Sequence, residues 1–373
     1  MTMKRLKTHL WTGALLAMSC STSPTDKSSL ENASAKSNGL SESWTFDSSI
    51  RALEVTDSNG VWWAGSNGLV GHTWDGGLQW QVDTLKLNDG TLPAFRSMAV
   101  TSEAAFAFSI ASPAVLFRFD FFTQEWDSVY TNHDEAAFFD SMAFWDDKEG
   151  IAMGDAMGDE MGAVGSSCLS VLITRDGGRN WNRIPCGDLP PLFQSEDGTA
   201  EAAFAASNGN VVLHGDEVWI ATGGAASRIY RSRDRGRSWE VVSTPIIQGG
   251  TMTGMFSATR CGDAMGIGWG GNWEDMDDNA SNKIQTLDGG ATWHLWQPGE
   301  GPGYRSSVQF VPQTDCQGIW AVGIPGISQS WDGGQTWLTE PDSTFLTLRF
   351  DATGTKAWLA GRGVVRCQSV NRP

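Results

Sequence analysis

Positive charge is what this sequence has least of: 26 Lys and Arg stand against 43 Asp and Glu, a formal net charge of -17 at pH 7. Sequence-independent binding to nucleic acid or to an anionic membrane needs basic patches, so both are excluded as partners. No internal apolar stretch is long enough to cross a bilayer as a helix. No glycine-rich fingerprint follows a strand and opens a helix, which leaves a nicotinamide or flavin site without support, and no G-x-S-x-G occurs. The six cysteines and five histidines have no metal-ligand spacing, and the acidic run WEDMDD at 273–278 lacks the ordered spacing of an EF-hand and reads as a solvated loop. The chain is therefore expected to need no metal and no cofactor.

What is present is glycine (44), tryptophan (19) and one turn used repeatedly. Residues 330–337 read SWDGGQTW: Asp332 is followed by Gly333 and Gly334 and, five places on, by Trp337. The same offset separates Asp75 from Trp80, Asp176 from Trp181, Asp234 from Trp239 and Asp288 from Trp293, each with glycine two places after the aspartate. A looser copy runs from Asp120 to Trp126. The carboxylate can accept N–H groups of its own tight turn, and glycine supplies the positive φ that such a turn requires. The tryptophan is expected to open the returning strand and to bury ~150–250 Å2 of ring beneath the turn.

The chain begins with Lys4, Arg5 and Lys7 ahead of a short apolar run over 10–18, the pattern of a secretion signal. LAMSC at 16–20 reads as a lipoprotein cleavage box with Cys20 as the lipidated residue, although Ala17 stands where leucine is commoner; ordinary signal cleavage nearby is the alternative. Residues 21–40, rich in Ser, Asn and Thr, read as a flexible tether. Three units follow: a lipoprotein-type signal peptide over 1–20, the tether over 21–40 and one repeat-built domain over 41–373.

Successive turn tryptophans at 80, 126, 181, 239, 293 and 337 lie 46, 55, 58, 54 and 44 residues apart, the period of propeller blades. Two further strands precede each turn: 50–55 and 60–64 ahead of 69–73, 95–100 with 104–108, 139–144 with 150–153, and 306–311 with 318–322. They are continuously apolar or alternating, as strands buried between neighbouring sheets should be. Beyond Trp337, residues 345–350, 356–360 and 363–368 make three strands without a fourth, and Trp44-Thr45-Phe46-Asp47 supplies an outer strand without the three before it. The expected fold is an all-β, seven-bladed β-propeller of four-stranded antiparallel blades closed by the N-terminal strand, which removes open edges.

Cys168 and Cys186 flank the third turn almost symmetrically, and Cys261 and Cys316 hold matching places in consecutive repeats. Both pairs are candidate disulfides in an oxidising compartment, worth ~2–4 kcal/mol each; free buried thiols are the alternative. Cys367 has no evident partner.

If the turns point to one face, the starts of the innermost strands share the other, around the central axis. Arg51, Arg96, Asp140 and Arg305 each begin an inner strand, and Glu201 in EAAFAAS lies within a residue of that place. Loops add Asp155, Glu160, Arg228, the 273–278 run and Arg362. The expectation is a charge-divided pocket in which Arg51, Arg96 and Arg305 hold an anionic group opposite Asp140, Asp155 and Glu201. Ion pairs that merely close the channel are the alternative.

The recurring unit resembles the Asp-box, or BNR repeat. Inner-strand arginines with turns of the form T-x-D-G-G-x-x-W make residues 44–368 resemble the photosystem II stability/assembly factor family, in particular its exported bacterial homologues. That resemblance implies a seven-bladed propeller that binds partners without a known reaction. Sialidases are similar at the turns, but their Arg-Ile-Pro motif is absent, since Ala52 and Leu53 follow Arg51. Two functions follow. One is a monomeric, lipid-anchored, non-enzymatic binding or assembly propeller of the bacterial cell envelope, in the periplasm or at the outer membrane, taking a protein partner or an anionic or sugar-like ligand. The other is a glycoside hydrolase in which Tyr304 with a neighbouring carboxylate attacks the sugar and Asp140 or Asp155 acts as acid.

Overall fold

The repeated turn closes as its residue types dictate. In the copy at 286–293, the Thr286 hydroxyl donates to Asp288 Oδ1 (2.8 Å) and accepts the Gly290 N–H (2.9 Å). Asp288 also accepts the Thr292 N–H (2.9 Å) and hydroxyl (2.6 Å). Trp293 then packs edge-on against Trp219 with centroids 5.3 Å apart. Gly290 adopts φ +85°, and a Cβ there would sit 2.6 Å from that same Trp219 ring, so glycine is required by both conformation and space. The same Ser/Thr–Asp–Gly circuit recurs around Asp75, Asp176, Asp234 and Asp332.

The turn tryptophans are not buried alike, which corrects the expectation of one full ring beneath every turn. Trp80 and Trp181 are buried, like Trp293: Trp80 lies edge-on to Trp44 (5.6 Å) and Trp181 edge-on to Phe144 (5.7 Å). Trp239 and Trp337 are only half-buried. Trp239 packs beside Ile173 and Val241, and its indole N–H donates to the Gly236 carbonyl of its own turn (3.1 Å), as that of Trp181 does to Gly178 (3.1 Å). Trp337 stands edge-on to Trp269 (5.1 Å). Rings on an outer strand are covered only as far as the neighbouring sheet reaches, so the spacing that places these tryptophans does not fix their burial.

The computed structural model describes residues 41–157, 167–341 and 344–372, with the backbone of two short strands, Asp26–Ser28 and Lys36–Ser37. The signal segment, Cys20 and Glu160 lie outside the described residues. No helix among the described residues is long and apolar enough to cross a membrane.

Each turn joins the outer two strands of a twisted antiparallel sheet. The second strand of a repeat is buried along its whole length in Val61–Gly65, Ala104–Ser109, Gly150–Gly154 and Ile319–Gly323. Such strands have sheets packed on both faces, which is why they read as apolar runs rather than alternating ones. Outer strands such as Leu338–Pro341 are exposed. The core is a series of apolar layers between neighbouring sheets, for instance Trp62, Phe95 and Phe117.

The expectation of seven separate four-stranded blades is corrected. Hydrogen bonds divide the described residues into six sheets, six blades by that count, and four of them have four strands. The cause is continuity at both chain ends. The strand Ser41–Val55 pairs through Trp44 with Val365 of Lys356–Ser369 and, further along, through Leu53 with Trp63 of Val61–Gly65. Lys356–Ser369 likewise runs unbroken where two strands, 356–360 and 363–368, are expected. The first and last repeats therefore share one eight-stranded sheet. Another sheet has six strands, because Glu201–Ala202 and Gly223–Gly224 extend the inner edge of Thr253–Cys261.

Cys168 is bonded to Cys186 (Cα–Cα 5.6 Å) and Cys261 to Cys316 (Cα–Cα 5.8 Å). The second bond ties the six-stranded sheet to the one that follows it. Cys367 is a free thiol, and burial pushes it up to about 11.

Trp293, 5% exposed, is the most direct test of the turn as an inter-sheet anchor. Trp293→Ala should lower unfolding stability in urea by about 3–5 kcal/mol with the far-ultraviolet spectrum unchanged. A loss below about 1 kcal/mol would contradict this role.

Candidate functional site at the axial mouth

The inner strands carry the site, and a register irregularity aims its residues. In Ser41–Val55, Phe95–Val100 and Phe139–Phe144 the pairing slips between Ile50 and Ala52, between Phe95 and Ser97, and between Phe139 and Ser141. The extra residues are Arg51, Arg96 and Asp140. The same slip singles out Phe256 in Thr253–Cys261 and Leu346 in Phe345–Phe350. A bulge leaves one residue unpaired and re-aims its side chain, so equivalent residues of different sheets meet at one end of the axis.

Arg51 lies within electrostatic reach of Arg96, Tyr304 and Arg362. Burial, and then the neighbouring Arg96, pull its guanidinium down to about 10, and its Nε has no hydrogen-bond partner among the described residues. Arg96 is lowered by burial and faces Asp140, while its Nη1 donates to the carbonyl of Ala205 (3.1 Å). Asp140 is wholly buried, and neither carboxylate oxygen has a hydrogen-bond partner among the described residues. Its proton affinity is raised well above the ordinary carboxylate range by burial and then by Asp155, against the opposing pull of Arg96. Asp155 accepts the Ala203 N–H (2.7 Å), and burial raises it to about 6.

Residues 203–210 form the floor beneath these groups. The sequence reading starts this repeat's inner strand near Glu201, in EAAFAAS, but that strand is Val211–His214, and the segment before it crosses between the sheets instead. Asn208, at φ +55°, donates to Glu54 Oε1 (3.1 Å) and the Met98 carbonyl (2.8 Å). Its amide oxygen accepts the Met142 N–H (3.0 Å) and the Ser141 hydroxyl (3.2 Å). Thr347 donates to the Ser207 carbonyl (2.9 Å), Arg349 to that of Asn208 (3.1 Å), and the Ala258 N–H to that of Gly209 (2.9 Å). Polar groups of five inner strands thus find partners on one crossing segment.

Two expected members lie elsewhere. Glu201 precedes the true inner strand by ten residues, so it misses the axis. It is buried against the half-buried Arg228, accepting from that guanidinium, from the Thr222 hydroxyl (2.6 Å) and from the Phe193 N–H (2.9 Å). Arg305, 2% exposed, turns into its own sheet, donating to the Tyr304 carbonyl (2.6 Å) and the Ser328 hydroxyl (2.7 Å). Burial lowers it to about 10. The third arginine near Arg51 is therefore the exposed Arg362.

Tyr304 is buried edge-on against Phe256 (4.8 Å) and Trp273 (5.5 Å), and Phe204 stacks on Phe256 at 3.9 Å. Phe204 and Trp273 are half-buried and give the mouth an aromatic wall; the sequence reading brings Trp273 to this face with the 273–278 run but does not name Phe204. Burial raises the proton affinity of the Tyr304 phenol, and among the described residues no carboxylate is hydrogen-bonded to its hydroxyl. The described residues hold no group of three or more His, Cys, Asp or Glu placed to bind a metal.

Beyond the floor, three places further along the inner strands, lies a cavity of about 290 Å3 lined by Glu54, Asn208, Thr259, Gln309 and Arg349, among others. Arg349 Nη2 reaches Glu54 at 3.4 Å. Glu54, Ala143, Thr259 and Arg349 of this lining stand three residues after the bulges at Arg51, Asp140, Phe256 and Leu346, a signal legible only once the bulges are known.

No protein-family model and no curated protein matches this chain. Among solved structures it is similar to YCF48 bound to a D1 peptide, at 16% identity and a TM-score of 0.59, over 90% of this chain and 99% of that one. It is also similar to YCF48 from Cyanidioschyzon merolae, at 15% identity and 0.51, over 89% and 99%. The WD40 β-propeller domain of Doa1 matches at 14% identity and 0.57, over 90% and 98%. At these identities the likeness is one of fold: the chain is a β-propeller resembling the YCF48 structures.

Proposed function

We propose that this chain is a non-enzymatic binding propeller that captures an acidic segment of a protein partner at the axial mouth. The observation that carries the reading is the arrangement of Arg51, Arg96 and Arg362 at one place, where burial makes the facing carboxyls among the described residues, Asp140 and Asp155, hold a proton more readily than ordinary carboxyls. Clustered guanidinium groups that burial has partly stripped of water are unfavourable unless an anion compensates them. Arginine is suited to this task because its fork presents paired donors to a carboxylate. The half-buried Phe204 and Trp273 suit an apolar neighbour of that carboxylate. The similar YCF48 structure holds a D1 peptide, which supports a peptide as the ligand class here.

The same proposal places the protein in the bacterial cell envelope as a monomer. Residues 1–20 act as a lipoprotein signal, Cys20 as the lipidated residue, 21–40 as the tether and the rest as the propeller, with its five aspartate–tryptophan turns as Asp-boxes. The glycosidase alternative has weaker support, because burial disfavours a phenolate at Tyr304 and Glu201 is committed to Arg228.

Calorimetric titration with short acidic peptides and their neutral amide analogues tests the reading. The acidic peptides should bind, and Arg51→Ala or Arg96→Ala should weaken them about tenfold or more, the effect of losing one charge-assisted hydrogen bond. Affinity unchanged in both variants overturns the site. Hydrolysis of a fluorogenic sialoside or uronide that Tyr304→Phe abolishes overturns the binder reading.

A further inference from the structure

Asp140 has no structural use that its surroundings explain. It is wholly buried, neither oxygen is hydrogen-bonded among the described residues, and its sheet needs no carboxylate at that bulge. A buried polar group left unpaired forfeits its solvation without return, and a charged one forfeits most. Its surroundings are nevertheless specific. Phe95–Val100 presents Arg96, and the end of Gly150–Gly154 presents Asp155. The floor at 203–205 presents backbone only, an N–H to Asp155 and a carbonyl to Arg96. Arg51 lies within electrostatic reach of Arg96. Glu201 is engaged by Arg228 and does not enter this circuit.

Resting on the reading of the mouth as an anion site, we infer that capture of an anion there takes up one proton from solvent, onto the Asp140–Asp155 carboxyl pair. In the empty mouth the negative charge carried by the Asp140–Asp155 pair is the nearest counter-charge to Arg96. An anion that docks on Arg51 and Arg96 takes over that compensation and leaves two buried carboxyls facing each other and the newcomer. Beside the newcomer the pair cannot keep its charge at low cost, so it takes a proton. The atoms balance simply, since the proton comes from the buffer and sits on a carboxyl oxygen with no bond broken in the ligand. The protonated carboxyl then has an O–H to donate, where the ionised one can only accept.

The sign follows from linkage. Burial already raises both groups, Asp155 to about 6. Below about that pH the empty site already carries its proton, and affinity should be flat. Above it, binding must recruit a proton, so affinity should fall as pH rises, by at most about tenfold per pH unit for one proton. The device would make the mouth hold acidic segments more tightly in mildly acidic surroundings and release them toward alkaline pH.

The test is calorimetry of the full propeller with two probes, inorganic sulfate and acetyl-phenylalanyl-aspartate, from pH 5.5 to 8 in paired buffers of different ionisation heat. Neither probe changes charge appreciably over this range. Wild type should show uptake approaching one proton per probe above about pH 6.5. Asp140→Asn should abolish the uptake and make the dissociation constant the same at both ends of the range, and Asp155→Asn should do likewise. Binding by wild type without proton uptake overturns this inference and leaves the anion site standing. Uptake that persists in both variants also overturns it. Absence of binding by wild type to either probe at every pH overturns the anion site and this inference together. Should Asp140→Asn fail to fold, the paired-buffer result in wild type and the Asp155→Asn variant decide.

Discussion

A carboxylate that binds its own turn, with a glycine pressed against an aromatic ring, is the interaction on which this structure depends. The Ser/Thr hydroxyl two places before the aspartate orients it, and the glycine lets the turn approach the neighbouring ring. In the copy at 330–337 a Cβ on Gly334 would fall 2.0 Å from Trp296, a ring of the preceding sheet. The turn therefore does more than reverse the chain, because it sets how closely one sheet seats on the next. The hydroxyl of Thr292 and its backbone N–H hold Asp288 down to about 2. A carboxyl depressed in the folded state adds stability above its unfolded value near 3.9, lost only as pH falls through about 2. The turns are thus built to persist through mild acid.

Seating the sheets around an axis brings equivalent residues of distant repeats together, and the bulges decide which of them look out. Arg51 and Arg96 on adjoining inner strands sit side by side only because each occupies the extra position of a bulge. The same slip turns Asp140 inward beside them. Residues 203–210 lie between this charged mouth and the cavity around Glu54 and Arg349, which Asn208 itself lines. The mouth offers guanidinium groups beside aromatic rings. The other end offers an already paired arginine and glutamate.

Much of this was legible in the residues. The spacing of Asp and Trp marks the turns, and the apolar runs at 95–100, 139–144 and 345–350 coincide with the observed strands. The half-repeats at the two ends correctly pair Trp44 with the last strands. What could not be read is continuity. Nothing in the composition of 41–55 or 356–369 distinguishes one long strand from two short ones, and that difference turns seven expected blades into six sheets. Burial was legible only in part, because Trp80 and Trp239 hold the same place in their turns and yet only the first is fully covered by its neighbours. Glu201 was misplaced for a reason related to continuity. EAAFAAS has the apolar content of an inner strand, yet AASNGN is short, polar-ended and able to turn at Asn208, and it serves better as a crossing segment that satisfies five strands. Arg305 shares its place in sequence with Arg51 and Arg96 but finds the Ser328 hydroxyl in its own sheet, a choice that depends on a contact no sequence position encodes.

The central claim is that the arginines above the floor are an anion site rather than internal bracing. It is tested most directly by diffraction from crystals of the propeller soaked in selenate, read from the selenium anomalous signal. The account predicts a peak at the mouth within hydrogen-bond reach of both Arg51 and Arg96, above the backbone of Ala203 and Ala205. A map with that position empty and selenate only on exposed surface lysines or in the cavity beside Arg349 would contradict it.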